Sequence, residues 1–185
     1  AHAKFFLTTS ITEGFGFAFL EPWTANRPVF GRRLEICSDF TAAGLDLKHL
    51  YDNIRIPLSW INAKSFKNQW KKYLHKVYSL YNMPFDDSRI DSDFELITSK
   101  DQVDFGLLSE TFQRQILEKI HSDRKSRDRL SQINPHLASA GSQDIRAEKI
   151  EQNRRVVIEN YSHEVYAGSL SEIYKKVASN TVSHR

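Results

Sequence analysis

The sequence predicts an α/β protein, half of a doubly wound unit followed by a mostly helical region, and three features predict it. "KFFLTTS", residues 4–10, is a short β-prone run ending in Thr and Ser, as expected of a buried strand of a parallel sheet that runs into a loop. "GFGFAFLEPWTAN" then reads as a glycine-containing loop and a short helix, closed by "NRP" ahead of a second strand, "PVFG", residues 28–31. The order strand, loop, helix, strand is the repeat of a doubly wound sheet, whose ligands sit at the carboxyl ends of its strands. After residue 60, helical spacing replaces strand signal.

In that second part, Phe66, Trp70, Leu74, Val77 and Tyr81 recur at steps of three and four, as a helix buried on one face requires. Leu107, Leu108, Phe112, Ile116, Leu117 and Ile120 repeat the pattern. Between them "NMPFDDSRIDSDFE", residues 82–95, reads as a polar connection, and "NPHLASAGSQD", residues 134–144, as a loop. Two last helices are expected in "DIRAEKIEQNRRVVIENY" and "SHEVYAGSLSEIYKKV", the second capped by Ser162 with Glu164 in its first turn.

Composition narrows the function classes. A chain of 185 residues with 40% hydrophobic content can build a core of ordinary size. Its net charge of +3 supplies no dominant basic field, so a nucleic-acid partner is not expected. Cys37 is the one cysteine, and no run approaches the roughly 20 apolar residues that cross a bilayer, so a reducing, cytoplasmic location is expected. Met83 is the one methionine and does not open the chain, which reads as a processed or partial copy of something longer.

The chemistry concentrates in residues 8–23, "TTSITEGFGFAFLEPW", where Glu13 and Glu21 interrupt an apolar, Gly-rich run. A carboxylate taken from water without a partner costs several kcal/mol, so both glutamates must face water or a specific group. Gly14 and Gly16 permit close approach of backbone to a ligand, and the amides of Gly16, Phe17 and Ala18 would be free at a helix start, a natural seat for a diphosphate. If the segment is mostly helical, the step from Glu13 to Glu21 covers about 12 Å, the reach of one nucleotide sugar. Pro22 is expected to kink the helix near Glu21. The seven histidines are scattered without metal-ligand spacing, so no metal site and no bound cofactor is expected.

Glu13-Gly14-Phe15-Gly16, with Glu21 closing an E-x7-E pattern and Arg27-Pro28-Val29 following, resembles the donor-binding motif of retaining glycosyltransferases of glycosyltransferase family 4. The likeness is strongest over residues 4–62 and returns in "NYSHEVYAGSLSEIYKKV", which looks like the final helices that such enzymes swing back towards their first domain. The resemblance implies a GT-B fold and a hexosyltransferase that needs no bound metal. By it, Glu13 contacts the transferred sugar and supports the reacting centre, Gly14 and Phe15 belong to the sugar-binding motif, Gly16, Phe17 and Ala18 offer amides to the diphosphate, and Glu21 holds the ribose hydroxyls.

Such enzymes have two Rossmann-like domains, and their diphosphate-neutralising basic pair lies upstream of the motif. Arg32 and Arg33, which follow the second strand, are expected to face solvent instead. The chain is therefore expected to be a carboxyl-terminal part that lacks an N-terminal domain and is inactive alone. Residues 1–62 would be a partial Rossmann-like, nucleotide-sugar-binding portion, 63–140 a helical insertion or extension, and 141–185 the C-terminal helices. The partners implied are a nucleotide sugar and a glycan, lipid or small-molecule acceptor. The rival expectation is a non-catalytic interaction or membrane-surface domain, using a basic face of Lys64, Lys67, Lys71 and His75.

Overall fold

The computed structural model describes residues 3–139 and 145–182. In chain order its elements are β1 (Phe6–Leu7), α1 (Phe17–Thr24), β2 (Val29–Phe30), α2 (Cys37–Ala42), β3 (Arg55–Pro57), α3 (Ala63–Leu80), α4 (Ile90–Ile97), β4 (Gln102–Asp104), α5 (Glu110–Ser122), α6 (Arg124–Ile133), α7 (Pro135–Ser139), α8 (Ala147–Tyr161) and α9 (His163–Val182). The protein is a mostly helical, mixed α/β chain with short strands. Two compact units form, one from the described parts of 1–52 and 143–185 and the other from those of 53–142.

In the first unit β1 and β2 pair in parallel, Phe6 opposite Val29 and Leu7 opposite Phe30, with α1 as the crossover between them. Just past β2, Arg32 and Tyr51 form a further parallel bridge, in which the Tyr51 amide donates to the Gly31 carbonyl at 3.1 Å. The strand, loop, helix, strand order expected from the sequence is present. The core joins Phe19, Leu20 and Trp23 of α1 to Val29, to Cys37 and Phe40 of α2, to Leu45, Leu47 and Leu50, and to Val157 of α8. Phe19 and Trp23 are wholly enclosed, and each such side chain contributes about 1.5–3 kcal/mol by leaving water. Cys37 is buried among them, and burial pushes its thiol pKa up.

One polar clamp closes this core. Asn153 of α8 is fully enclosed; its Oδ1 accepts the Asp46 amide at 2.9 Å and its Nδ2 donates to the Asp46 carbonyl at 3.0 Å. The Asp46 side chain meets Lys149 one turn earlier, at 2.8 Å, a contact that holds the Asp46 carboxyl below its ordinary pKa. At the junction of α8 and α9, Ser162 Oγ accepts the Val165 amide at 3.4 Å, so the expected cap is made.

Residues 4–10 depart from expectation. The strand is shorter, and it is not buried: Phe6 and Leu7 are exposed. Among the described residues β1 pairs with β2 alone, so its outer edge and its side chains lie open. Pro22 sits inside α1, buried on its core side, and the helix continues to Thr24.

The second unit begins at Asn53, whereas the sequence placed a boundary after residue 62. The reason is a strand pair that had no sequence signal: β3 runs antiparallel to β4, with Ile56 opposite Val103. Ile56 and Val103 enter a core with Phe66 of α3, Phe94 of α4, Leu108, and Phe112 and Ile116 of α5. The segment 82–95, read as a polar connection, supplies α4; Ile90 and Phe94, four apart, are its buried stripe. Residues 135–139 of the expected loop form α7, and 140–144 lie outside the described residues. Leu107 and Leu108 precede α5 in a tight turn instead of belonging to it.

A second asparagine clamp is built here. Asn134 is fully enclosed, with Oδ1 accepting the Arg55 amide at 2.7 Å and Nδ2 donating to the carbonyls of Arg55 at 2.9 Å and Leu130 at 3.0 Å. The basic face proposed for α3 is largely neutralised within the unit. Lys67 pairs with Asp91, Lys71 with Asp87 at 2.6 Å, and His75 with the same Asp87 at 3.1 Å. Asp87 and Asp91 are thus the partners of those three residues.

Each clamp is a two-sided exchange with a main-chain amide and carbonyl, so truncation strands two buried groups at once. Asn153→Ala and Asn134→Ala are each expected to destabilise the chain by about 2–4 kcal/mol in urea denaturation. A change near zero would mean that water replaces the amide without cost.

Candidate functional site

The loop between β1 and α1 leaves the carboxyl end of a parallel strand, and its start is pinned. The Thr8 amide donates to the Phe30 carbonyl at 2.9 Å, and Thr8 Oγ1 accepts the Ser10 amide at 3.3 Å. Thr8 also lies against Gly31 so closely that a Cβ there would stand 2.4 Å from Thr8 Cγ2. Ser10 Oγ donates to Glu13 Oε1 at 2.7 Å. Glu13 is half-buried, so one carboxylate oxygen is fixed from within the loop.

The loop ends at Gly16, the N-cap of α1, in the left-handed region at φ 71°. A Cβ at Gly16 would stand 2.6 Å from Phe40 Cζ. Both facts demand glycine for reasons internal to the fold. Gly14 is different. Its φ is not positive, and nothing lies within 4 Å of the position a Cβ would take, so neither packing nor backbone conformation calls for glycine there.

No side chain caps α1. Its first amide with an acceptor is that of Phe19, bonded to the Gly16 carbonyl at 2.9 Å. The amides of Gly16, Phe17 and Ala18 have no such partner among the described residues, as the first turn of a helix dictates. Phe17 is exposed and Ala18 half-buried, so this end of α1 reaches solvent with its partial positive charge. Phe15 and Phe17 stack on either side of Gly16, centroids 5.9 Å apart and planes at 17°, with Phe15 78% exposed.

Glu21 lies on the exposed side of α1, one turn past its start. The helix begins at Phe17, not at Glu13, so the 12 Å helical separation expected for the two glutamates does not apply; helix accounts for only about 6 Å of the path. The structure places Glu13, Gly14, Phe15, Gly16, Phe17 and Ala18 in one continuous loop and helix start, and Glu21 along the same helix. Arg32 and Arg33 turn to the segment after α2: Arg32 donates to the Asp52 carbonyl at 3.1 Å, and Arg33 donates to the carbonyls of Lys48 and Leu50 and meets Asp52 at 3.6 Å.

Two residues near this end of the sheet were not foreseen. Ser10 had a signal, the S-x-x-E spacing that marks capping boxes, although here the hydroxyl binds the carboxylate instead of a helix amide. His49 had none. Its Nε2–H donates to the Val29 carbonyl at 2.7 Å and its ring meets Trp23 edge-on, while Nδ1 is buried without a partner. Burial chiefly pushes the His49 pKa below its ordinary value of 6.5; Lys149 and Arg33 act the same way, and the Val29 carbonyl and Asp46 oppose them.

No family model, curated protein or solved structure matches the chain. Among the described residues no group of three or more His, Cys, Asp or Glu is placed to hold a metal ion, and no helix is long and apolar enough to cross a membrane.

Two outcomes follow from this geometry. Gly16→Ala forces a side chain into the left-handed region and into Phe40, and is expected to cost about 1–3 kcal/mol, whereas Gly14→Ala should change stability by less than about 0.5 kcal/mol. Thermal unfolding of the two variants separates these. His49 favours the neutral ring in the folded state, so its contribution is complete above the unfolded value of 6.5 and is lost as pH falls below it. The urea midpoint should therefore fall between neutral pH and about pH 5.5, and fall less in His49→Gln, whose amide keeps a donor for Val29 but does not titrate.

Proposed function

We propose that the chain is the donor-binding part of a retaining glycosyltransferase that moves a hexose from a nucleotide sugar to a glycan, lipid or small-molecule acceptor. The observation that carries the proposal is the loop between β1 and α1: a half-buried carboxylate oriented by Ser10 and a helix start with unsatisfied amides lie within one short segment at the carboxyl end of a parallel strand. That is the arrangement a sugar diphosphate needs, with acceptors for hydroxyls beside donors for phosphate oxygens. Gly14 adds support, because it is a glycine that the fold itself does not require. The E-x7-E resemblance names the ligand class.

In this reading Glu13 faces the transferred sugar, where positive charge develops as the glycosidic bond breaks. Its Oε1 is held by Ser10, so Oε2 is the oxygen turned to the sugar. The amides of Gly16, Phe17 and Ala18 receive the diphosphate, and its charge is best satisfied there as the leaving group departs. Glu21 holds the ribose hydroxyls, which do not change charge in the reaction. The open edge of β1 and its exposed Phe6 and Leu7 are where the rest of the donor domain and the N-terminal domain would attach.

Calorimetry on this chain with UDP, GDP and ADP hexoses tests the binding step. One of these donors is expected to bind, and Gly14→Val, at a position where a Cβ meets nothing within 4 Å, is expected to weaken it by roughly tenfold or more with the unfolding temperature unchanged; absence of binding by all three would overturn the reading. In the intact transferase, Glu13→Gln is expected to cut turnover about a hundredfold, roughly 2.7 kcal/mol, while nucleotide affinity stays nearly unchanged. Glu21→Gln is expected to raise the apparent Michaelis constant for the donor more than it lowers turnover. Equal and small effects in steady-state kinetics would reduce the pair to two surface carboxylates.

A further inference from the structure

The ion pairs of α3 divide its basic residues into two sets. Lys67, Lys71 and His75 are satisfied by Asp87 and Asp91, while Lys64, Lys72 and Lys76 make no ion pair among the described residues and are exposed. Lys72, Lys76 and Leu80 follow one another at four-residue steps, so they form one stripe along the helix, and Tyr73 flanks it. At the end of the same helix Tyr81 and Met83 are also exposed. Tyr73, Leu80, Tyr81 and Met83 each show more than half of their surface to water. The acids are committed to the other flank.

We propose that this stripe is a docking face for an anionic phospholipid surface, with Lys72 and Lys76 at the headgroups and Tyr73, Leu80, Tyr81 and Met83 at the boundary with the acyl chains. Charge complementarity selects the occupant: two lysines without carboxylate partners attract anionic headgroups, and the carboxylates that could neutralise them are held by Lys67, Lys71 and His75. The apolar members fit the same occupant. Tyrosines with exposed rings and polar tips suit a membrane interface, and a convex helix face needs only a plane against it. This contact is peripheral, and it does not depend on the transferase reading, since its residues lie in the second unit.

Sedimentation with unilamellar vesicles tests it on the full chain. Vesicles with about 30% phosphatidylglycerol should bind the protein roughly twentyfold better than pure phosphatidylcholine, with the advantage lost at about 0.5 M salt. The Lys72→Glu, Lys76→Glu double variant should abolish that preference. Leu80→Ser with Tyr81→Ser should weaken binding while retaining the dependence on anionic lipid. The control is Lys175→Glu with Lys176→Glu, which changes net charge equally on α9 and should leave binding as it was. Equal binding to both vesicle types, no binding to either, or an equal loss in the α9 control would overturn the proposal; circular dichroism of each variant excludes unfolding as the cause.

Discussion

The first unit depends on the join between Asp46 and Asn153. Its two stretches of chain lie 107 positions apart at that contact, so nothing covalent and local brings them together. The amide and carbonyl of Asp46 are paired by one asparagine side chain, as a neighbouring strand would pair them, and Lys149 adds an ion pair to the same residue. With that register set, Val157, with Ile150 and Val156 beside it, covers the core that encloses Phe19 and Trp23. Those two aromatics anchor α1, whose first turn carries the candidate loop. An enclosed polar group therefore belongs to the same core that carries the candidate loop, without touching the loop itself.

The candidate loop separates two uses of glycine. Gly16 is explained by a positive φ and by the Phe40 ring. Gly14 has neither explanation and lies where the loop is open. Sequence alone treats the two alike, because both carry the same letter in one motif. Structure shows that the motif has a packing half and an open half, so an effect at Gly16 reports first on the fold.

The α/β character, the first two strands, α1, α3 as a helix, and the last two helices were legible because each rests on local periodicity or a local stop signal; the buried stripe of α3 was read too long, since Phe66 is enclosed whereas Tyr81 is exposed just past the helix end. β3 and β4 were not. Each is three residues long and pairs with a segment more than forty positions away, so no local pattern records the partner. The same reason hid Asn134 and Asn153: an asparagine near or inside a helix looks like an ordinary surface residue until its distant main-chain partner is known. The pairing of Lys67, Lys71 and His75 was hidden for a related reason, since the aspartates that meet them come from a segment read as a simple connection. The burial of β1 was inferred from its composition, and composition does not say how many neighbours a strand has.

Cys37 has one more consequence. It is the sole cysteine, it lies within the first core, and burial keeps its sulfur in the protonated, unreactive form. The folded chain should therefore be silent to maleimides, and a cysteine placed at Gly14, where a side chain meets open space, should be the one fast-reacting thiol. A fluorophore there would sit on the loop itself, and its emission would report directly on the surroundings of the loop. Slow labelling of the unsubstituted protein would at the same time measure how often the core around α2 opens.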